Sequence, residues 1–201
     1  RYDSCLTGVP LSDLNVFKEQ ILEEIQKLDG RLIVKEYPTK SASTMALRSH
    51  LEKLKSRDID VGMIVVDYAD LIKPKRFSSE KRHDLESIYE ELRAIAHEFK
   101  CPVWTASQTN RSGYNAELVT MESISEAFNK CFVADFIFTL SRTLEDKNAN
   151  AGRFFVAKNR FGPDGLVFPI YMDTGKVEIK TKQNVSGSLG SSPAKTQEQI
   201  L

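Results

Sequence analysis

Apolar residues along this chain recur first at helical spacing, then in short unbroken runs, and finally in strand-like segments set between turns. Leu14, Phe17, Ile21, Leu22, Ile25 and Leu28 share one face of a helix predicted from Leu11 to Leu28, with Ser12 or Asp13 to cap it and Asp29-Gly30 to stop it. Arg31 to Tyr37 reads as a strand broken by Pro38, and a second helix is predicted from Ser43 to Arg57 with Leu47, Leu51 and Leu54 on one face. The run Val61-Gly62-Met63-Ile64-Val65-Val66 then has the composition of a fully buried parallel strand, placed at Gly62 to Val66, and ends abruptly in Asp67. A polar, partly basic loop from Lys73 to Arg82 leads into a long helix, about Ser79 to Lys100, that buries Leu85, Ile88, Leu92, Ile95, Ala96 and Phe99. A second buried strand, Val103 to Ser107, ends in Gln108-Thr109-Asn110-Arg111. A short helix near Met121 to Lys130 and strands at Phe136 to Ser141, Arg153 to Asn159 and Leu166 to Met172 follow, with Lys176 to Lys180 pairing at the end. Gly162-Pro163-Asp164-Gly165 marks the turn between two of these strands. Strands alternating with helices and finishing in a β-rich stretch predict an α/β fold of three layers, its sheet mostly parallel with C-terminal antiparallel strands. Residues 1–180 form this domain; 181–201, rich in Gly, Ser, Gln and Lys without periodicity, read as a disordered polar tail.

Composition narrows the class. A chain of 201 residues, 41% hydrophobic and 28% charged, can bury one substantial core. Lys plus Arg equals Asp plus Glu at 28 each. That zero net charge argues against a broadly basic nucleic-acid coat, while leaving room for a local groove or a pore lined by a few loops. Cys5, Cys101 and Cys131 are too irregularly spaced for a disulfide framework or a zinc site, and fit thiols of a reducing compartment. His50, His83 and His97 show no ligand spacing. With no stretch of transmembrane length and no signal peptide, the expected location is the cytoplasm and no membrane is expected as partner. The chain opens on Arg1 rather than methionine and reads as a piece of something longer.

The two strand tips carry the chemistry. Ligands of open α/β sheets sit beyond the carboxyl ends of the strands. A carboxylate directly after a buried strand is costly unless it meets solvent or a cation, so Asp67 is a candidate for holding magnesium, usually through water, while the metal bridges nucleotide phosphates. A helix cap or a loop acid is the ordinary alternative. Asp70, three residues on, is either a second acid of the site or, as expected, a residue facing a loop. Gln108, at the neighbouring tip, can orient a water or sense the γ-phosphate; otherwise it is a surface amide. Lys158 and Arg160 fall on one side near the end of a strand, before the Gly162-Pro163 turn, and can stabilise phosphate charge in cis or as fingers offered to the next subunit. Alternatively they are solvated charges flanking a hairpin. The segment from Arg111 to Lys130, with Asn115, Ser123, Ser125 and Asn129, supplies small polar donors and cations suited to a phosphate backbone. No G-x-x-x-x-G-K-[ST] loop occurs: at Gly175-Lys176, Val177 follows and Ile170 stands where the first glycine belongs. The chain alone is therefore expected not to hydrolyse nucleotide.

The order and spacing of several segments resemble the C-terminal, RecA-like motor domain of the DnaB family of hexameric replicative helicases, the T-even phage branch in particular. They are Arg31-Leu32-Ile33-Val34-Lys35-Glu36-Tyr37-Pro38-Thr39, Ile64-Val65-Val66-Asp67-Tyr68, Glu91-Leu92-Arg93-Ala94-Ile95-Ala96, Ser107-Gln108-Thr109-Asn110-Arg111, Ala134-Asp135-Phe136 and Lys158-Asn159-Arg160-Phe161-Gly162-Pro163. The resemblance spans roughly Arg31 to Lys180. It implies ATP and Mg2+ as cofactors, Asp67 as the acid that holds the magnesium, and Gln108 as the sensor linking γ-phosphate to DNA-binding loops. Lys158 and Arg160 resemble the basic pair that reaches the nucleotide of an adjacent subunit. Ser125, Glu126, Asn129 and Lys130, with Arg111, match the segment that lines a central channel and grips single-stranded DNA. A ring hexamer, a primase and a helicase loader are the partners it implies, in a host cytoplasm for a phage protein. The family's phosphate loop and catalytic glutamate would lie upstream of Arg1, and the segment between Gln108 and Ser123 is shorter than in bacterial members. The alternatives are a RecA- or clock-type ATPase, which shares the two strand-tip motifs but not the finger, and a degenerate RecA-fold module that binds DNA or a helicase without turnover.

Overall fold

The computed structural model describes residues 1–39, 41–75, 81–109, 116–123 and 129–181. In chain order the elements are α1 (Tyr2–Thr7), α2 (Lys18–Gln26), α3 (Thr44–Lys55), β1 (Ile64–Val66), α4 (Lys81–Phe99), β2 (Val103–Thr105), α5 (Asn129–Val133), β3 (Phe136–Ser141), α6 (Leu144–Asn148), β4 (Ala151–Asn159), β5 (Val167–Asp173) and β6 (Glu178–Thr181), with single 3-10 turns at Ala69–Leu71 and Met121–Ser123.

The two apolar runs pair in parallel as expected, but they are not fully buried: Val65 and Trp104 are exposed and Ile64 alone of the two strands is buried. β1 and β2 lie parallel, Ile64 opposite Val103, Val65 opposite Trp104 and Val66 opposite Thr105. Parallel neighbours need a long crossover, and α4 supplies it. Its apolar residues recur every three or four positions, so Leu85, Ile88, Leu92 and Ile95 all point inward. Ile88, Leu92 and Ile95 meet Leu51, Ile64, Ala69 and Cys101 in one core cluster. α3 begins where the Ser43 side chain accepts a hydrogen bond from the Ala46 amide, and it sends Leu51 and Leu54 into the interior. Thr44, at its first turn, bonds Glu91 of α4, which also pairs with Lys75 at 3.0 Å.

The remaining strands form a separate antiparallel sheet in the order β3-β4-β5-β6, with a register shift between Ile137 and Phe138. Among the described strands, one pair is parallel and three are antiparallel, so the parallel portion is smaller than the sequence suggested. The β4–β5 hairpin closes at the predicted turn. Gly165 adopts φ 74°, a left-handed conformation that favours glycine, while Asn159 ties the turn by donating to the Pro163 carbonyl at 3.2 Å and accepting from the Phe161 amide at 3.2 Å. An aromatic row crosses from one sheet to the other: Trp104 lies 5.8 Å from Phe138, Phe138 stacks on Phe154 at 4.7 Å, and Phe154 meets Phe168 at 6.2 Å between ring centres.

Several expectations change. Arg31 to Tyr37 is not a strand: Leu32, Ile33 and Val34 are exposed, and no neighbouring backbone pairs with the segment among the described residues. An extended apolar run becomes a strand only when a partner completes its ladder. The helix expected over Leu11 to Leu28 is regular only as α2, with turns before it. Two short helices were not predicted. α1 docks through Ser4, whose hydroxyl donates to the Lys176 carbonyl at 3.1 Å. α6 opens with a reciprocal cap between Thr143 and Asp146. β6 runs through Thr181, one residue into the expected tail, and 182–201 lie outside the described residues.

Candidate functional site

Asp67 sits in the turn directly after β1, exposed, and makes no hydrogen bond or ion pair among the described residues. The peptide joining it to Tyr68 is cis. The turn is tied to the neighbouring strand by Thr105, whose hydroxyl donates to the Val66 carbonyl and accepts from the Ala69 amide, each at 2.9 Å. A hydroxyl can do both at once, and the parallel register that sets Thr105 opposite Val66 puts it within reach. Gln108 completes the junction: its amide nitrogen donates to the Tyr68 hydroxyl at 3.0 Å. The two strand tips that the sequence singled out are therefore neighbours, and the residue beside Asp67 holds Gln108.

Beneath them lies a polar cluster that sequence reasoning missed. Asp70 accepts from the Tyr89 hydroxyl at 2.9 Å through one carboxylate oxygen, and from Ser107 and Lys130 at 3.2 Å each through the other. Lys130 also donates to the Ser107 hydroxyl at 2.6 Å and lies 5.8 Å from the centre of the Tyr89 ring. Burial, reinforced by the Asp70 charge, pushes the Tyr89 phenol far above its ordinary range, so it remains a donor. Two expectations are corrected here. Asp70 does not face a loop but turns inward. Lys130 is 2% exposed in its side chain and engaged on several sides, so it does not present its ammonium to a DNA backbone. The signal available in the sequence was the spacing: an acid three residues after Asp67, a hydroxyl immediately before Gln108, and a lysine among apolar neighbours.

Lys158 and Arg160 do reach the same side, as predicted, and they grip the end of α5. Lys158 donates to the carbonyls of Cys131 at 2.8 Å and Phe132 at 3.1 Å, groups left without intrahelical partners at a helix C-terminus. Burial, with Arg160 close by, draws the Lys158 pKa below that of an ordinary lysine. Arg160 pairs with Asp135 at 2.5 Å, and the same carboxylate oxygen takes Arg93 of α4 at 2.9 Å. Arg93 also donates to the Val133 carbonyl at 2.6 Å. No hydrogen bond or ion pair among the described residues joins Lys158 or Arg160 to Asp67 or Gln108; α5 receives Lys158 and, through Lys130, meets Asp70 and Ser107. Arg111, Ser125 and Glu126 lie outside the described residues, as does the side chain of Asn129.

Chemically, the tips offer one free carboxylate and one oriented carboxamide. No cluster of three or more His, Cys, Asp or Glu able to hold a metal occurs among the described residues. A single unpartnered acid instead fits a magnesium ion whose other positions are water and phosphate. Burial raises the Cys131 and Cys101 thiols, which makes both poor nucleophiles. No helix among the described residues is long and apolar enough to cross a membrane.

Comparison with known proteins bears on the family and the fold. The family described as DnaB-like helicase C terminal domain matches residues 11–176. The chain is 34% identical over 174 residues to a DnaB-like replicative helicase of Enterobacteria phage T4, covering 81% of this chain and 37% of that protein. It is 32% identical over 136 residues to the replicative DNA helicase DnaB of Geobacillus stearothermophilus, covering 64% of this chain and 30% of that one. The chain thus spans about a third of the length of the curated relatives it matches. A solved DnaB-like replicative helicase, described together with its interactions with primase, superposes with a TM-score of 0.71 at 16% identity, covering 88% of this chain and 46% of that one. At that identity the likeness shows the fold alone, the RecA-like α/β fold that was expected.

Proposed function

Because the chain belongs to the DnaB-like helicase C-terminal domain family, we propose that it is part of the motor of an ATP-dependent replicative DNA helicase that unwinds duplex DNA by moving along a single strand as a ring hexamer. The observation that carries this reading is the pairing of the two strand tips, with Asp67 free beside Tyr68 and Gln108 held by the Tyr68 hydroxyl. Asp67 would hold Mg2+ through water, and the metal would supply positive charge toward the phosphates of ATP. Gln108 senses the γ-phosphate, and its bond to Tyr68 sets the orientation of its amide before nucleotide arrives. Lys158 and Arg160 serve the nucleotide of an adjacent subunit. Their present partners, two carbonyls and one shared carboxylate, hold them at the end of α5 until that subunit docks. Arg111, Ser125, Glu126 and Asn129 supply the backbone contacts to single-stranded DNA, which a ring multiplies from few per subunit. These 201 residues hold no G-x-x-x-x-G-K-[ST] loop, and in this reading the chain by itself would not turn over nucleotide. Primase and a helicase loader are the further partners, and the cytoplasm, a host's for a phage protein, is the setting.

The test is magnesium-dependent ATP hydrolysis and strand separation by the intact protein. Asp67→Asn is expected to lower hydrolysis by about a hundredfold or more, since a bound cation contributes several kcal/mol to the transition state. Hydrolysis at the parental rate in Asp67→Asn would remove the metal role from this acid.

A further inference from the structure

Lys130 is almost completely buried, yet it touches no group that the proposed reaction needs directly. A pair of this kind is costly, because an apolar pair of the same volume fills the space without giving up hydration. Here each partner is present. The ammonium meets the Asp70 carboxylate at 3.2 Å, the Ser107 hydroxyl at 2.6 Å and the face of Tyr89. Those partners are not scattered. Asp70 lies three residues beyond Asp67 in the turn that closes β1, and Ser107 immediately precedes Gln108. Lys130 itself belongs to α5, whose last carbonyls receive Lys158. One side chain thus joins the turn of the acid, the tip of the amide and the helix on which the basic pair rests.

We propose that Lys130 is a positioning residue, a latch with Asp70 and Ser107 that fixes α5 in register with the two strand tips and so couples nucleotide at the tips to DNA held by the segment leading into α5. This rests on the helicase reading above and assigns Lys130 a role other than touching DNA. The reasoning is geometric. Hydrogen bonds weaken steeply as distance and angle depart from their optimum. A displacement of the Gln108 tip by about an ångström therefore cannot leave both the Ser107 and the Asp70 contacts of Lys130 intact. An apolar pair in the same place would hold α5 against the core while letting it slide, because dispersion contacts carry no such directionality.

The experiment compares the intact protein with Lys130→Met, Asp70→Leu and the double variant, measuring melting temperature and the ratio of ATPase rates with and without single-stranded DNA. Each single change strands one buried charge and lowers the melting temperature. The double change removes both charges and is expected to restore it to within a few degrees of the parent. Stimulation by DNA is nonetheless expected to stay about tenfold below the parent in the double variant, the scale of a coupling contact. A purely structural pair would regain stimulation together with stability, and that result overturns the latch. If the parent itself shows no stimulation by single-stranded DNA, the helicase reading fails and the latch fails with it. Stimulation retained in a folded double variant removes the latch alone.

Discussion

Two carboxylates in this chain each hold basic side chains, and their burial predicts unequal losses on removal of charge. Asp70 faces Lys130, with side chains 19% and 2% exposed. Asp135 faces Arg93 and Arg160, all between 40% and 44% exposed. In Asp70→Asn the Lys130 ammonium keeps Ser107 and the Tyr89 ring but loses its counter-charge. Breaking a buried pair from one side costs about 3–5 kcal/mol, and because the new amide oxygen still accepts a hydrogen bond, the lower end, about 3 kcal/mol, applies. That is roughly a hundredfold in the unfolding equilibrium. In Asp135→Asn two half-exposed pairs are lost, each worth about 0.2–1 kcal/mol, for a total near 1 kcal/mol. Arg93 keeps its bond to the Val133 carbonyl, and the Arg160 amide keeps its bond to the Asp135 carbonyl at 2.9 Å. Salt separates the two cases further. Raising ionic strength to about 1 M shortens the screening length to about 3 Å, which erases the exposed pairs and leaves the buried one largely untouched. Urea unfolding followed by far-UV circular dichroism at low and high salt reads both effects. A loss below about 1 kcal/mol in Asp70→Asn would show that water reaches the ammonium, and would refute the burial argument.

In the intact protein, Arg160→Ala is expected to abolish DNA-stimulated ATPase while leaving nucleotide affinity nearly unchanged. An equal loss of binding, read by fluorescent-nucleotide titration, would contradict a role toward the neighbouring subunit. Acid should loosen the start of α6. Hydrogen bonds from Thr143, backbone and hydroxyl, and from Arg153 hold the Asp146 pKa down to about 2. A carboxyl depressed in the folded state stabilises fully above its unfolded value near 4, and that contribution fades as pH falls from about 4 through about 2. Asp146→Asn should remove this part of the acid dependence; melting curves of parent and variant that stay parallel down to pH 2 would rule it out.

The sequence made the strand tips legible because an unbroken apolar run reads as a strand and its end marks the site, although of β1 only Ile64 is buried and Val65 is exposed. Asp67 and Gln108 could be found that way. Ser43 as a cap, the periodic face of α4 and the Gly165 turn were readable for equally local reasons. The unpredicted features depend on distant partners. Arg31 to Tyr37 has the composition of a strand, but a strand exists only beside another. Lys130 looked like a DNA contact because lysine is ordinarily solvated, and only the convergence of Asp70, Ser107 and Tyr89 from three elements makes its burial tolerable. The Thr143–Asp146 cap was a local signal, present in the sequence as Thr143-Leu144-Glu145-Asp146, and it was overlooked.

α4 brings the consequences together. Tyr89 and Arg93, four residues apart, face α5, where they meet Lys130 and the Val133 carbonyl, three residues apart. Glu91, between them in sequence, points away to Thr44 and Lys75. Successive helix positions are separated by about 100°, so these three side chains fix the helix like teeth engaged on opposite sides. Turning α4 by a single residue would disengage all of them together. The arrangement leaves the helix no independent small adjustment, so any rearrangement between strand tips and α5 must carry α4 as a whole or leave it still.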